Sequence, residues 1–201
     1  AGNGYAQPLG TAFPDSVGYN SETVNGQTYD VEKAKEYLAL AGYADADGNG
    51  YVEMDGEELV LTISLKSNSP TAVYQAMQDM WKEIGIHVEI ALLENLTDIR
   101  ESGDFDFING AWQTVNNADG QSYLKNRWSD GGPDNYTGYH SDAFEEVMDD
   151  LDAAFDEEAR IEAFVAAQQI IADDCPAIFL YANDNITLIN NTRVSGVTVF
   201  P

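Results

Sequence analysis

The sequence predicts an α/β fold, a layer of helices over strands in which some strands pair in parallel. Three observations predict it. Apolar runs of period two alternate along the chain with runs of period 3.6, and strands interleaved with helices pack as layered α/β structures. The 201 residues are 44% hydrophobic and 11% aromatic, enough for one substantial domain with a core of its own. The single cysteine, Cys175, excludes an internal disulfide, so burial must hold the fold together.

Residues 1–28 contain Pro8, Pro14 and five glycines and keep no period. They read as an extended lead-in lying over something else. Asp30 is a helix N-cap, Val31, Ala34, Leu38 and Ala41 share one helical face, and Gly42 suits the C′ position. From Glu58 to Lys66, Leu59, Leu61, Ile63 and Leu65 alternate with other residues, the pattern of a half-buried strand. Ser69 and Pro70 read as N-cap and N1 of a second helix, which carries Val73, Met77, Met80, Trp81 and Ile84 and stops at Gly85. A strand is expected over His87 to Leu93, a helical turn over Leu96 to Glu101 and a third strand over Phe105 to Trp112.

Residues 113–140 read as one long irregular loop of the kind that covers or forms a site. Two amphipathic helices follow. One is capped by Ser141 and buries Phe144, Val147, Met148 and Leu151. The other is capped by Asp156, carries Ile161, Phe164, Val165 and Ile171, and ends before Pro176. Ala177 to Ala182 and Asn185 to Asn190 read as closing strands.

The charge narrows the function. Thirty-five acidic residues against nine basic ones give a net charge of −26, which repels nucleic-acid phosphates and anionic membrane surfaces. The acid is clustered: ten acids and one base lie between Ser141 and Glu162, and six acids with no base between Asp45 and Glu58. Runs of this kind are ordinarily solvated faces. No apolar run approaches membrane-spanning length, and the first residues do not form a signal peptide.

Asp45-Ala46-Asp47-Gly48-Asn49-Gly50-Tyr51-Val52-Glu53 matches the first nine positions of a calcium loop. Oxygens would come from Asp45, Asp47, Asn49, the Tyr51 carbonyl and Glu53. The twelfth position, where a bidentate glutamate belongs, is Gly56. The competing reading is a turn whose side chains bond their own backbone. His87 and His140 lack acid or cysteine neighbours at ligand spacing and read as separate structural or surface residues. Cys175 reads as a buried, inert thiol. There is no nucleophile elbow, phosphate-binding loop or dinucleotide fingerprint, which argues against an enzyme. Trp112 stands where a strand delivers the chain to the long loop, a position open to two readings, pocket wall or core.

Tyr29-Asp30-Val31-Glu32-Lys33-Ala34-Lys35 through Ala41-Gly42-Tyr43 is similar to the Y-D-P-E-K-A-K … A-G-Y helix of the family 5 extracellular solute-binding proteins of ABC importers. The Asp45–Gly50 loop resembles their D-x-D-G-D-G, and Met80 to Val88 their L-K-K-I-G-I-x-V. Gly103-Asp104-Phe105-Asp106 through Gly110-Ala111-Trp112, Gly138-Tyr139 before Phe144, and Ala177 to Tyr181 follow in the family's order. The resemblance implies a mixed β-sheet flanked by helices, the C-terminal lobe of a two-lobed periplasmic-binding-protein-like fold (class II, cluster C). Residues 1–28 would lead in from an upstream lobe, and 29–201 would be the solute-binding lobe.

The resemblance further implies a monomeric, non-catalytic, extracytoplasmic protein. It would enclose a peptide or other small solute between its lobes and deliver it to a membrane permease, with no required cofactor. The alternative is a free-standing extracellular calcium-binding module. In peptide-binding members a tryptophan matching Trp112 lines the cleft, and an aspartate three residues later pairs with the peptide's amino group. Here that position is Val115, followed by Asn116 and Asn117. A neutral amide cannot give an ammonium a charge-assisted partner. Trp112, Asn116 and Asn117 are therefore the expected cleft residues.

Overall fold

The computed structural model describes residues 6–19, 21–116, 119–183, 189–190 and 192–196. Strands β1 (Ala6–Pro8), β2 (Glu53–Met54), β3 (Glu57–Glu58), β4 (Val60–Lys66), β5 (His87–Leu93), β6 (Phe107–Ile108) and β7 (Tyr181–Asn183) alternate with six helices. These are α1 (Val31–Leu40), α2 (Ala72–Lys82), α3 (Thr97–Ser102), α4 (Gln121–Trp128), α5 (Asp142–Ala153) and α6 (Glu157–Asp174).

Parallel and antiparallel pairing are segregated. The three-stranded sheet has the order β5-β4-β6 and is parallel throughout, with Val60 opposite His87 and Ile63 opposite Phe107. Helix α2 makes the crossover that parallel neighbours need. Two antiparallel ribbons, β2-β3 and β1-β7, stand apart from it.

Two cores result. Ile63, Leu65 and Val88 of the sheet are buried beneath Tyr74, Met77 and Trp81 of α2. The larger core joins Leu124 and Trp128 of α4, Phe144, Met148 and Leu151 of α5, and Phe164, Ala167 and Ile171 of α6. Ala12 and Phe13 from the N-terminal stretch are buried in that second core. Phe13 is fully buried and meets Tyr19, Tyr123 and Phe164 edge-on, with ring centroids 5.0, 5.4 and 5.8 Å away. Gln168, also fully buried, accepts from the Ser21 hydroxyl at 2.9 Å and donates to the Tyr19 carbonyl at 3.1 Å. The Gln27 amide donates to the Ala177 carbonyl and accepts from the Phe179 N–H.

The caps follow the sequence where a carboxylate supplies them. Asp30 accepts from the Lys33 N–H and Asp156 from the Ala159 N–H. Ser141 stands at the N-cap of α5 without a side-chain bond to the helix's own N–H groups. Helix α2 begins two residues later than expected, with Thr71 and not Ser69 at its N-cap, because the Ser69 N–H closes a turn onto Lys66. Gly85, at φ 82°, terminates this segment, and a Cβ there would lie 2.8 Å from Val52 Cγ1. The expected strand over Phe105 to Trp112 shrinks to Phe107–Ile108, since only Ile63 and Ser64 offer it a partner. The expected loop over 113–140 contains α4. The strand expected over Ala177 to Ala182 is confined to Tyr181–Asn183, and that expected over Asn185 to Asn190 falls largely outside the described residues.

Candidate functional site

Between the two cores lies an open cleft of about 2240 Å³. Ile63, Tyr74 and Met77 line one side, Tyr123, Trp128 and Phe164 the other, and the segment Phe105–Val115 runs along it. The topology puts it there. Strand β6 lies on the far side of β4 from β5, so the chain leaves the carboxyl end of β6 beside that of β4. Carboxyl ends of parallel strands, where the chain changes direction, are where open α/β sheets bind ligands.

Trp112 comes off that strand end and lies on the cleft wall, 36% exposed. Gly110 allows this, because a side chain at Gly110 would overlap the folded-back indole. One face of the indole is taken by Arg127 of α4, whose Cζ lies 3.9 Å from the ring centroid. Asn116 is exposed in a tight turn. Its N–H donates to the Asp119 carbonyl and its carbonyl accepts from the Asp119 N–H, and Val115 and Asp119, not Asn116, line the cleft. Asn117 lies outside the described residues.

Asp119 holds the mouth of α4 in place. Its Oδ1 accepts from the Gln121 N–H at 3.0 Å and from Arg160 Nη2 at 3.3 Å. The Gly120 N–H donates to the Tyr19 hydroxyl at 2.8 Å, and burial raises that phenol's pKa. Burial pushes Tyr123 up to about 12 for the same reason.

Arg127 is the residue the sequence reading overlooked. It is 6% exposed, lines the cleft, donates to the Asp134 carbonyl, and stacks near Trp112, Trp128 and Tyr136. Its pKa is lowered, first by burial. The usable signal was scarcity: nine basic residues in so acidic a chain make each one worth placing.

The Asp45–Glu53 loop turns its oxygens on its own backbone. Asp45 accepts from the Gly48 and Gly50 N–H groups, Asp47 from Asn49, and the Asn49 side chain from Tyr51. Among the described residues no three His, Cys, Asp or Glu side chains gather where they could hold a metal ion. His87 Nδ1 lies 2.6 Å from Glu58 Oε1 and its ring stacks on Tyr51, whereas His140 lies between Asp130 and Asp142. Cys175 is exposed and not buried as expected, because the chain turns there through φ 52° at the end of α6. Partial shielding still raises its thiol pKa.

Residues 1–135 match the model of the bacterial extracellular solute-binding proteins, family 5 Middle. The oligopeptide-binding protein AppA of Bacillus subtilis is 28% identical over 165 residues, 78% of this chain and 30% of AppA. NikZ from Campylobacter jejuni, solved with Ni(L-His), superposes with a TM-score of 0.76 at 20% identity, covering 89% of this chain and 37% of NikZ. A mannohexaose-bound periplasmic oligopeptide-binding protein from Thermotoga maritima gives 0.72 at 22% identity, over 89% and 37% of the two chains. The chain thus spans about a third of the length of these proteins.

Proposed function

The chain belongs to the bacterial extracellular solute-binding proteins of family 5, and from that premise we propose that it forms one wall of a solute-capturing cleft. In this reading residues 29–201 are the C-terminal lobe and residues 1–28 lead into it. The whole protein is a monomer outside the cytoplasmic membrane that binds a peptide or other small solute without chemistry and presents it to the permease of an ABC importer. The observation that carries the reading is the cleft itself. It is open, far larger than a pocket for one small molecule, and edged by Trp112 and aromatic residues of both cores.

Capture by such a cleft works through closure. A solute that touches both walls only when they are together stabilises the closed state by that difference in contact. Asn116 belongs to this proposal as a rim residue, next to Val115 on the wall, and Asn117 is proposed with it from the sequence alone. No helix among the described residues is long and apolar enough to cross a membrane. A calcium ion at Asp45–Glu53 is not needed for this function, since that loop is satisfied by its own amides. The relatives' names and bound molecules span oligopeptides, a nickel–histidine complex and a mannose oligomer, so the family does not name this chain's solute.

Native mass spectrometry of the protein carrying this chain, purified from its source, tests the proposal. The expected spectrum shows a bound solute that is lost in Trp112→Ala. Small-angle scattering should show the radius of gyration fall when that solute is restored, and an unchanged radius at saturation would refute closure.

A further inference from the structure

The sequence contains four Asn-Gly pairs: Asn3–Gly4, Asn25–Gly26, Asn49–Gly50 and Asn109–Gly110. The first lies outside the described residues. An asparagine before glycine is chemically fragile, because no Cβ hinders attack by the glycine nitrogen on the asparagine side chain. The attack requires that nitrogen to lose its proton. The groups around the peptide unit therefore decide which pair reacts.

Two of the three described pairs are guarded. The Gly26 N–H donates to the Val24 carbonyl at 2.9 Å, and the only donor to the Asn25 carbonyl is the neutral amide of Gln169. A Cβ at Gly26 would lie 2.7 Å from the Gly10 carbonyl oxygen, so the backbone there has little room to turn. The Gly50 N–H donates to the Asp45 carboxylate at 3.0 Å, and a negative charge at that distance opposes the formation of another. The Asn49 side chain is fixed as well, accepting from the Tyr51 N–H and donating to Asp47.

Asn109–Gly110 is arranged the opposite way. Gly110 is exposed, and its N–H has no acceptor among the described residues. The oxygen of the same peptide unit, the Asn109 carbonyl, accepts from Arg100 Nη2 at 3.2 Å. When the Gly110 nitrogen loses its proton, the negative charge is shared with that oxygen, and a guanidinium on the oxygen stabilises it. The Asn109 side chain meets the Tyr74 hydroxyl, beside the cleft that both residues line.

We propose that Asn109–Gly110 is a self-modification site of the cleft wall, at which Arg100 promotes deamidation of Asn109. The Gly110 nitrogen gives its proton to water and bonds to Asn109 Cγ. The Cγ–Nδ2 bond breaks, ammonia leaves, and a five-membered succinimide remains. Water opens that ring at either carbonyl, giving aspartate or isoaspartate, and nothing is oxidised or reduced. The product sets a carboxylate in a wall that held a neutral amide. Isoaspartate also lengthens the backbone beside Gly110, where the Trp112 indole packs so closely that even a Cβ would overlap it. Consequences for solute capture rest on the cleft reading above, whereas the chemistry itself does not.

The test is incubation of the 201-residue chain in mildly alkaline buffer, followed by peptide mapping in a mass spectrometer. The mass change from amide to acid marks deamidation, and isomerisation at Asp-Gly pairs does not produce it. In the folded chain Asn109 should react at least about tenfold faster than Asn25 and Asn49, and in urea the three rates should converge. Arg100→Gln should slow Asn109 about tenfold and leave the other two unchanged, while Arg100→Lys, which keeps the charge, should retain most of the rate. A purely structural role for Arg100 would have the opposite sign, since loosening the chain speeds the attack. If Arg100→Gln fails to fold, the order of rates in the wild-type chain, folded against urea, decides alone. Equal rates in the folded chain, or a faster Asn25 or Asn49, overturn the proposal. So does the same order of rates persisting in urea, or an unchanged Asn109 rate in folded Arg100→Gln. The experiment reads covalent chemistry and no binding, so its failure leaves the proposed function standing.

Discussion

Phe13→Ala should unsettle the helical half of the molecule although residue 13 belongs to no helix. Phe13 is 0% exposed and its ring meets three others edge-on at 5.0–5.8 Å. Truncating a buried phenylalanine to alanine costs roughly 3–5 kcal/mol, of which each well-placed aromatic pair accounts for about 0.5–1.5 kcal/mol. Relaxation cannot fill the space easily. Gly120 presses on the ring from one side, where even a Cβ would sit 2.7 Å from Phe13 Cε1. A loss of about 4 kcal/mol is a large share of the roughly 5–15 kcal/mol that holds a domain together. Urea unfolding followed by circular dichroism would measure it. Amide exchange would show where it acts: protection should fall across α4 and α6 more than across β4 and β5, whose core contains no part of Phe13. A loss below about 1 kcal/mol, smaller than any cavity term allows, would refute the packing described above.

Tyr123 and Tyr139, both pushed up to about 12, should ionise last in an ultraviolet titration. The folded state then holds protons that the unfolded chain has released, so their contribution is intact below about pH 10 and is lost as pH rises through 12. Gly110→Ala should expel the Trp112 indole from its fold-back position, seen as a red shift in tryptophan emission with little change in melting temperature. Calcium added to chelator-treated protein should give no heat and leave the melting temperature unchanged, because Asp45, Asp47 and Asn49 already accept from the loop's amides. A saturable calorimetric signal would reverse that reading.

The elements legible in the sequence are those whose signal is local and redundant. Strand β5 falls on His87–Leu93 as expected, and Phe144, Met148 and Leu151 bury the face that their spacing defines. Asp30 and Asp156 cap because a carboxylate beside free N–H groups needs no distant partner. Helix α4 was hidden. It starts at Gly120 without a side-chain cap, mixes Tyr123, Leu124 and Trp128 with polar residues, and sits among the Gly, Asn and Asp that mark turns. Its existence depends on contacts with Phe13 and Tyr19, which no local window contains. Trp112 was legible as a position, where a strand meets a loop. Arg127 was not, because what distinguishes it is its burial against Trp112, Trp128 and Tyr136 in three dimensions.

The ribbon β1-β7 sets Ala6 opposite Asn183, and Leu9 extends it by donating to the Leu180 carbonyl. The ribbon is the outermost of the contacts between the two ends of the described chain, since Phe13, Tyr19 and Gln27 already meet Phe164, Gln168 and Ala177. With those contacts made little closure entropy is left to the ribbon, and it returns little buried surface of its own. Its bonds should be the last to form during folding and among the first to exchange in the native state. A molecule tied this way can loosen its clasp while both cores stay packed, so protease sensitivity near Pro8 and Ala182 would report on the clasp alone and not on unfolding.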